Sequence, residues 1–190
     1  VVQAGKSPST EILIVEAAKK ARLEAGTFTE LREVFDFSDD LTAVRVKESA
    51  IVTPENWAAL LGLSVDFGRK SIYLMGTAVN ALMVMGHENP VVQICGHFGI
   101  SYSALYNAAK MCRLVPPEKR EGLYPSVVQE IAVRRYHPDD QKNLEIVLEM
   151  VEEAKKHGWT CEEARSNASA RIGKELKLKK EPSKKELQER

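Results

Sequence analysis

The chain has 190 residues, in which 27 Lys/Arg balance 27 Asp/Glu, so the whole molecule does not announce a polyanion partner. Hydrophobic content of 44% and charged content of 28% are ordinary for a globular protein. Three cysteines, Cys95, Cys112 and Cys161, are too few and too scattered for a disulfide framework and fit a reducing cytoplasm. Aromatic residues are few, and Ala, Leu, Glu and Lys dominate, which predicts a mainly α chain. Charge is uneven locally. Residues 101–135 hold six basic and three acidic side chains, whereas residues 10–50 hold six basic and nine acidic ones.

In chain order, residues 1–9 are small and polar and read as disordered. Thr10 is placed as the cap of a helix over Glu11–Ala25, with Gly26 as its stop. Thr27–Phe37 reads as a second short helix carrying Phe28, Leu31, Val34 and Phe35, and Asp39-Asp40 as a turn. Leu41–Lys47, LTAVRVK, alternates apolar and polar residues and is the best strand candidate. No second convincing strand is evident, so this one is expected to pair across a dimer or to lie extended along the helices. The chain begins at Val1 rather than Met, and an earlier beginning is expected to have been removed; no signal peptide is read.

Thr53-Pro54-Glu55 is a strong helix start: a cap, then Pro at the first helical position, then an acid in the first turn. Trp57, Leu60, Leu61, Leu63, Val65 and Phe67 lead to a second apolar run, Ile72–Met85, which is too short to span a bilayer. Gly62, Gly68 and Gly76 argue against one unbroken helix, so two helices meeting near Gly68 are expected as a scaffold. Gly86–Pro90, GHENP, breaks the pattern.

Val91–Arg113, VVQICGHFGISYSALYNAAKMCR, reads as a helix-turn-helix. Ile94, Phe98, Ile100, Leu105 and Ala108 are apolar where two short helices share a core, and Cys95 is small where they approach. Gly99 supplies the turn, where a positive φ is cheap only for Gly, and Ser101 is the candidate N-cap of the second helix. Tyr102, Ser103, Tyr106, Asn107 and Lys110 are left on the outer face. Ser103, Tyr106 and Asn107 are the candidate base readers, Asn107 being able to pair bidentately with adenine. Ser101, Tyr102, Lys110, Arg113, Lys119 and Arg120 are the candidate phosphate contacts. Packing at a helix edge is the plain alternative for Tyr102 and Tyr106, and a solvated surface face for the basic residues.

After the motif, Val115-Pro116-Pro117 is a rigid stop. Pro125-Ser126 precede a helix over Val127–Tyr136. His137-Pro138-Asp139-Asp140 open an amphipathic helix to about His157, with Leu144, Val147, Leu148, Val151 and Ala154 on its apolar side and Gly158 at its end. Thr160 and Glu163 form a capping box for a helix from Cys161 to about Gly173, and the charge-rich tail beyond reads as frayed or disordered. Trp57 and Trp159 read as core anchors. The organisation expected is an N-terminal extension over 1–50, a helical helix-turn-helix domain over 51–173 and a charged tail over 174–190, with the dimer contact supplied either by the extension, as a dimerisation unit, or by the helix over 138–157. No closed-site ligand spacing, nucleophile elbow or phosphate-binding loop is found, so no metal, cofactor or enzymatic activity is expected.

Three segments, WAALLGLSVDFGRKSIYLMGTAVNALM, GISYSALYNAAKMCRLVPPEKR and AKKHGWTCEEAR, resemble the LmbU-type transcription regulators and their phage and plasmid relatives. The matching residues are Trp57, Gly76, Gly99, Ser101, Tyr102, Leu105, Asn107, Ala108, Pro116, Arg120, Gly158, Trp159, Thr160 and Arg165, and the likeness covers roughly residues 53–170. A weaker similarity runs to the ParB/KorB DNA-binding domain of plasmid partition proteins. The chain departs from the first family where Met75 and Thr77 flank Gly76, and where Val127 and Val128 stand in place of a His pair. The resemblance implies a helical fold around the helix-turn-helix and sequence-specific binding of double-stranded DNA, in transcription regulation or plasmid and phage maintenance. A homodimer or higher oligomer, cytoplasmic and nucleoid-associated, without a membrane partner, is expected. The alternative is a helical interaction adaptor or assembly subunit that does not bind DNA.

Overall fold

The computed structural model describes residues 8–23, 26–38, 43–65 and 71–178. Of the expected disorder over 1–9, residues 1–7 lie outside the described residues, whereas Pro8 and Ser9 are helical. The Asp39-Asp40 turn, the start of the LTAVRVK strand, the Gly68 junction and the end of the charged tail also lie outside the described residues. The fold is mainly α, with one two-stranded antiparallel sheet among the described residues. Two compact units divide the chain, Val1–Arg113 and Leu114–Arg190.

The first unit begins with α1 (Pro8–Leu23). Proline opens this helix, two residues ahead of the cap expected at Thr10, because its fixed φ suits a first helical position. Gly26 does not act as a left-handed stop. Its φ of −79° is right-handed, and its carbonyl accepts from the Thr29 and Glu30 N–H groups at 3.0 and 3.2 Å, so it opens α2 (Thr27–Val34). The expected helix to Phe37 ends earlier. Phe35–Phe37 is a strand, β1, pairing antiparallel with β2 (Val44–Val46) in the register Phe35↔Val46 and Phe37↔Val44. LTAVRVK therefore finds its partner within the chain. Alternation puts Phe35 and Phe37 on one face, their rings 6.2 Å apart, and leaves Asp36 exposed.

Thr53 caps α3 (Pro54–Ser64) as expected, with Asn56 completing a reciprocal capping box. Next come α4 (Ile72–Val84), α5 (Glu88–Phe98) and α6 (Tyr102–Leu114). Gly62 and Gly76 lie inside helices and do not break them. At Gly62 a Cβ would collide with the Ala18 backbone, so its bare backbone is what lets α3 lie against α1. Trp57 packs on Phe35 with ring centroids 4.7 Å apart, as the core anchor expected of it. Ile14, Val15 and Ala18 of α1 share one hydrophobic core with Leu60, Leu61, Leu82, Val91, Ile94 and Leu105. Residues ahead of 50 are thus part of the body that holds the helix-turn-helix.

The second unit holds α7 (Pro117–Arg120), α8 (Pro125–Ala132), α9 (Asp140–His157) and α10 (Cys161–Leu178). Asp139 caps α9 by accepting from the Lys142 N–H at 2.9 Å, and that bond holds its carboxyl below the usual range. Gly158 closes α9 in the left-handed conformation at φ 63°, and Thr160 with Glu163 starts α10 through the expected capping box. Gly173 does not end α10, which continues to Leu178. A half-buried Glu130 accepts from Arg165 and Arg134, each at closest 2.8 and 2.9 Å, which ties α8 to α10 and lowers the Glu130 pKa.

Candidate nucleic-acid interface

The site grows from the turn between α5 and α6. Gly99 takes φ 65° and ψ 29°, a conformation that a Cβ would strain. The Ile100 N–H donates to the Cys95 carbonyl at 2.9 Å and the Gly99 N–H to the Gly96 carbonyl at 3.4 Å, the paired closure of a Schellman motif. Ser101 stands directly before α6, and its carbonyl accepts from the Leu105 N–H at 3.2 Å, the backbone position of an N-cap. Its hydroxyl pairs with the Ser103 hydroxyl at 2.8 Å. Three residues, Gly99 to Ser101, therefore join two helices of 11 and 13 residues.

The inner faces are apolar as the spacing predicts. Ile94, Cys95, Leu105 and Ala108 are buried, and Phe98 and Ile100 pack half-buried against the same core. Burial raises the Cys95 thiol pKa. Behind α6, the bare backbone of Gly76 faces the Ala108 carbonyl, and a Cβ there would overlap that oxygen and lie 2.8 Å from Cys112 Sγ. Cys112 Sγ donates to the Tyr73 carbonyl at 3.4 Å. The glycine at the centre of α4 is thus the seat of the second motif helix.

The outer face carries the sequence-predicted residues at helical spacing. Ser103, Tyr106 and Arg113 are exposed, and Asn107 and Lys110 are half-buried on the same stripe. Tyr102 is placed differently. Its hydroxyl donates to Glu88 Oε1 at 2.7 Å, and its ring packs half-buried against the core, 6.3 Å from the Tyr106 ring. That bond pushes the Tyr102 phenol up to about 12. The pair clasps the first turn of α6 to the first turn of α5. Sequence reasoning missed Glu88, because a pairing across 14 residues leaves no local spacing signal.

Two candidate phosphate contacts belong to the second unit. Lys119 is exposed, and its ammonium lies 2.8 Å from Glu152, which raises the Lys119 pKa and lowers that of Glu152. Arg120 corrects the sequence expectation. It is only 3% exposed, with its guanidinium donating to the Val115 carbonyl at 3.4 Å, so it does not offer charge to solvent. Pro116 and Pro117 start a single helical turn that carries Arg120 back over the Val115 carbonyl.

The clasp gives a pH-dependent prediction. A raised phenol pKa adds stability that is complete below the ordinary value of 10.0 and is lost as pH rises towards about 12. Ring-carbon NMR of labelled tyrosine should find Tyr102 titrating near the upper limit, and Glu88→Gln should return it towards the lower one. Tyr102→Phe should lower the stability of the first unit by about 1 kcal/mol, read by urea unfolding at neutral pH. An unchanged Tyr102 titration in Glu88→Gln would show that the bond is absent in solution.

Among the described residues, no group of three or more His, Cys, Asp or Glu is placed to hold a metal ion, and no helix is long and apolar enough to cross a membrane. No protein-family model, curated protein or solved structure matches the chain.

Proposed function

We propose that this protein binds double-stranded DNA sequence-specifically, through the outer face of α6 in the major groove, as a regulator of transcription or in plasmid or phage maintenance. The observation that carries this reading is the stripe Ser103, Tyr106, Asn107, Lys110 and Arg113, set behind a three-residue glycine turn on a helix whose other face is buried. Ser103, Tyr106 and Asn107 read base edges, with Asn107 able to donate to and accept from one adenine. Ser101, Lys110 and Arg113 contact phosphates. Tyr102, with its hydroxyl engaged by Glu88, positions the helix. The resemblance to LmbU-type regulators supports the same reading, which includes a dimer presenting two such helices to adjacent half-sites.

Selection of preferred duplexes from a random library, followed by anisotropy titration, tests it. Asn107→Ala should remove about 1–3 kcal/mol of discrimination while sparing non-specific affinity. Lys110→Ala with Arg113→Ala should weaken every duplex and make the salt slope shallower by about 2. Absence of salt-sensitive binding to any duplex at micromolar protein and low salt would overturn the proposal.

A second reading, an interaction adaptor, is favoured by one observation. Residues 71–109 contain a single formally charged side chain, Glu88. Such scarcity of charge suits the core of a protein interface better than a polyanion surface.

A further inference from the structure

The outer backbone edge of β2 is open. The Ser38 N–H donates to the Ala43 carbonyl at 3.0 Å, and the Lys47 N–H to the Val34 carbonyl at 3.1 Å. In an antiparallel ladder such bonds fall on every second pair. With Phe35 facing Val46 and Phe37 facing Val44, the N–H and C=O groups of Val44 and Val46 therefore point away from β1. Neither N–H finds an acceptor among the described residues. The edge of β1 is less open, since the Phe35 N–H donates to the Leu31 carbonyl at the end of α2. The apolar residues exposed on α1, Ile12 and Leu13, make no comparable demand, because a helix satisfies its own backbone. What covers β2 must itself bring an extended backbone.

Side chains define the rest of the occupant. Val46 lies on the core face of the sheet, opposite Phe35, and is still 43% exposed, so apolar surface beside it is left uncovered. Arg45 stands on the other face. It is exposed and makes no hydrogen bond or ion pair among the described residues. Asp36, opposite Arg45 across the strands, lies instead 3.8 Å from Lys47 Nζ. From this we infer that β2 takes an added strand from an acidic, extended peptide segment of a partner protein, with an acid opposite Arg45 and an apolar residue on either side of it. β1 already shows the pattern that β2 accepts, since Phe35, Asp36 and Phe37 meet Val46, Arg45 and Val44 in register. A second copy of β2 is the poorer occupant. The two-fold register that joins Val44 to Val46 sets Arg45 against its own image, and the one centred on Val46 sets it against Lys47, like charges directly opposite in both. The register centred on Val44 sets Arg45 beside Ala43 and neutralises nothing. The inference is independent of whether α6 meets DNA, since it rests on β2 alone.

NMR titration of the full isotope-labelled chain, without nucleic acid, tests it. The probe is a short capped peptide with a valine on each side of one central aspartate, and the control carries lysine in place of that aspartate. The aspartate peptide should shift the Val44 and Val46 amides and slow their exchange, while Ser38 and Lys47, bonded within the hairpin, change little. It should bind about 5-fold or more tighter than the lysine control. Arg45→Glu should reverse that preference, and because Arg45 is exposed, the Ser38 and Lys47 amide signals should stay in place. Equal binding of the two peptides, an unaltered preference in Arg45→Glu, or unmoved Val44 and Val46 amides at millimolar peptide would overturn the inference. So would a peptide-free chain whose Val44 and Val46 amides are already protected and lose that protection on dilution, since a second copy would then cover the edge.

Discussion

Gly76→Val is expected to loosen the second helix of the motif from its seat and to destabilise the first unit by about 3 kcal/mol or more. The obstacle is backbone. An added Cβ overlaps the Ala108 carbonyl oxygen and crowds Cys112 Sγ, and a carbonyl inside α6 has no rotamer with which to move aside. α4 and α6 must then separate around Gly76 and Ala108, both of them buried in the native fold. Urea unfolding followed by circular dichroism reads the loss. Gly76→Ala should fail in the same direction by a smaller margin. If Gly76→Val unfolds at the wild-type urea concentration, the close approach of α4 to α6 does not exist in solution.

Trp57→Ala is expected to cost about 3–5 kcal/mol in the same unit. The indole is 9% exposed and lies 4.7 Å from the Phe35 ring, which is itself 1% exposed. Removing it leaves a cavity between α3 and the hairpin, and the hairpin has only three paired positions with which to resist collapse. The loss should therefore appear first as melting of β1–β2, visible as fast amide exchange at Ser38 and Lys47, whose N–H groups donate to the Ala43 and Val34 carbonyls across the hairpin, with the rest of the unit following at lower urea than in the wild type. Trp57→Phe should recover a large part of the stability. Equal stability of Trp57→Ala and the wild type would mean that the hairpin is held by something other than this stack.

Periodic and terminal features of the fold were legible before the coordinates. Thr53-Pro54, Gly99, Asp139, Gly158 and Thr160 with Glu163 each do their work within a few residues, and each appears where its chemistry predicts. Features that depend on distant residues were not legible. Phe35–Phe37 is three residues long, and its alternation is too brief to separate from the helix before it. Gly62 and Gly76 resemble helix breakers in the sequence, because what justifies them, the Ala18 and Ala108 backbones, lies more than 30 residues away. At the candidate site, the apolar positions Ile94, Leu105 and Ala108 followed from spacing, but the destinations of Tyr102 and Arg120 did not. Both are long polar side chains whose partners, Glu88 and the Val115 carbonyl, are chosen by tertiary approach.

The shared core of the first unit also limits how this helix-turn-helix can travel. Ile94, Cys95 and Leu105 belong to one hydrophobic cluster with Ile14, Val15, Leu31 and Phe35, residues that come before the motif by 56 positions or more. A recombination joint or an engineered fusion placed near residue 51 would carry α6 away with part of its support missing. The motif is held together with everything from α1 onward, and a transplant that keeps α5 and α6 folded must move residues 8–113 as a block.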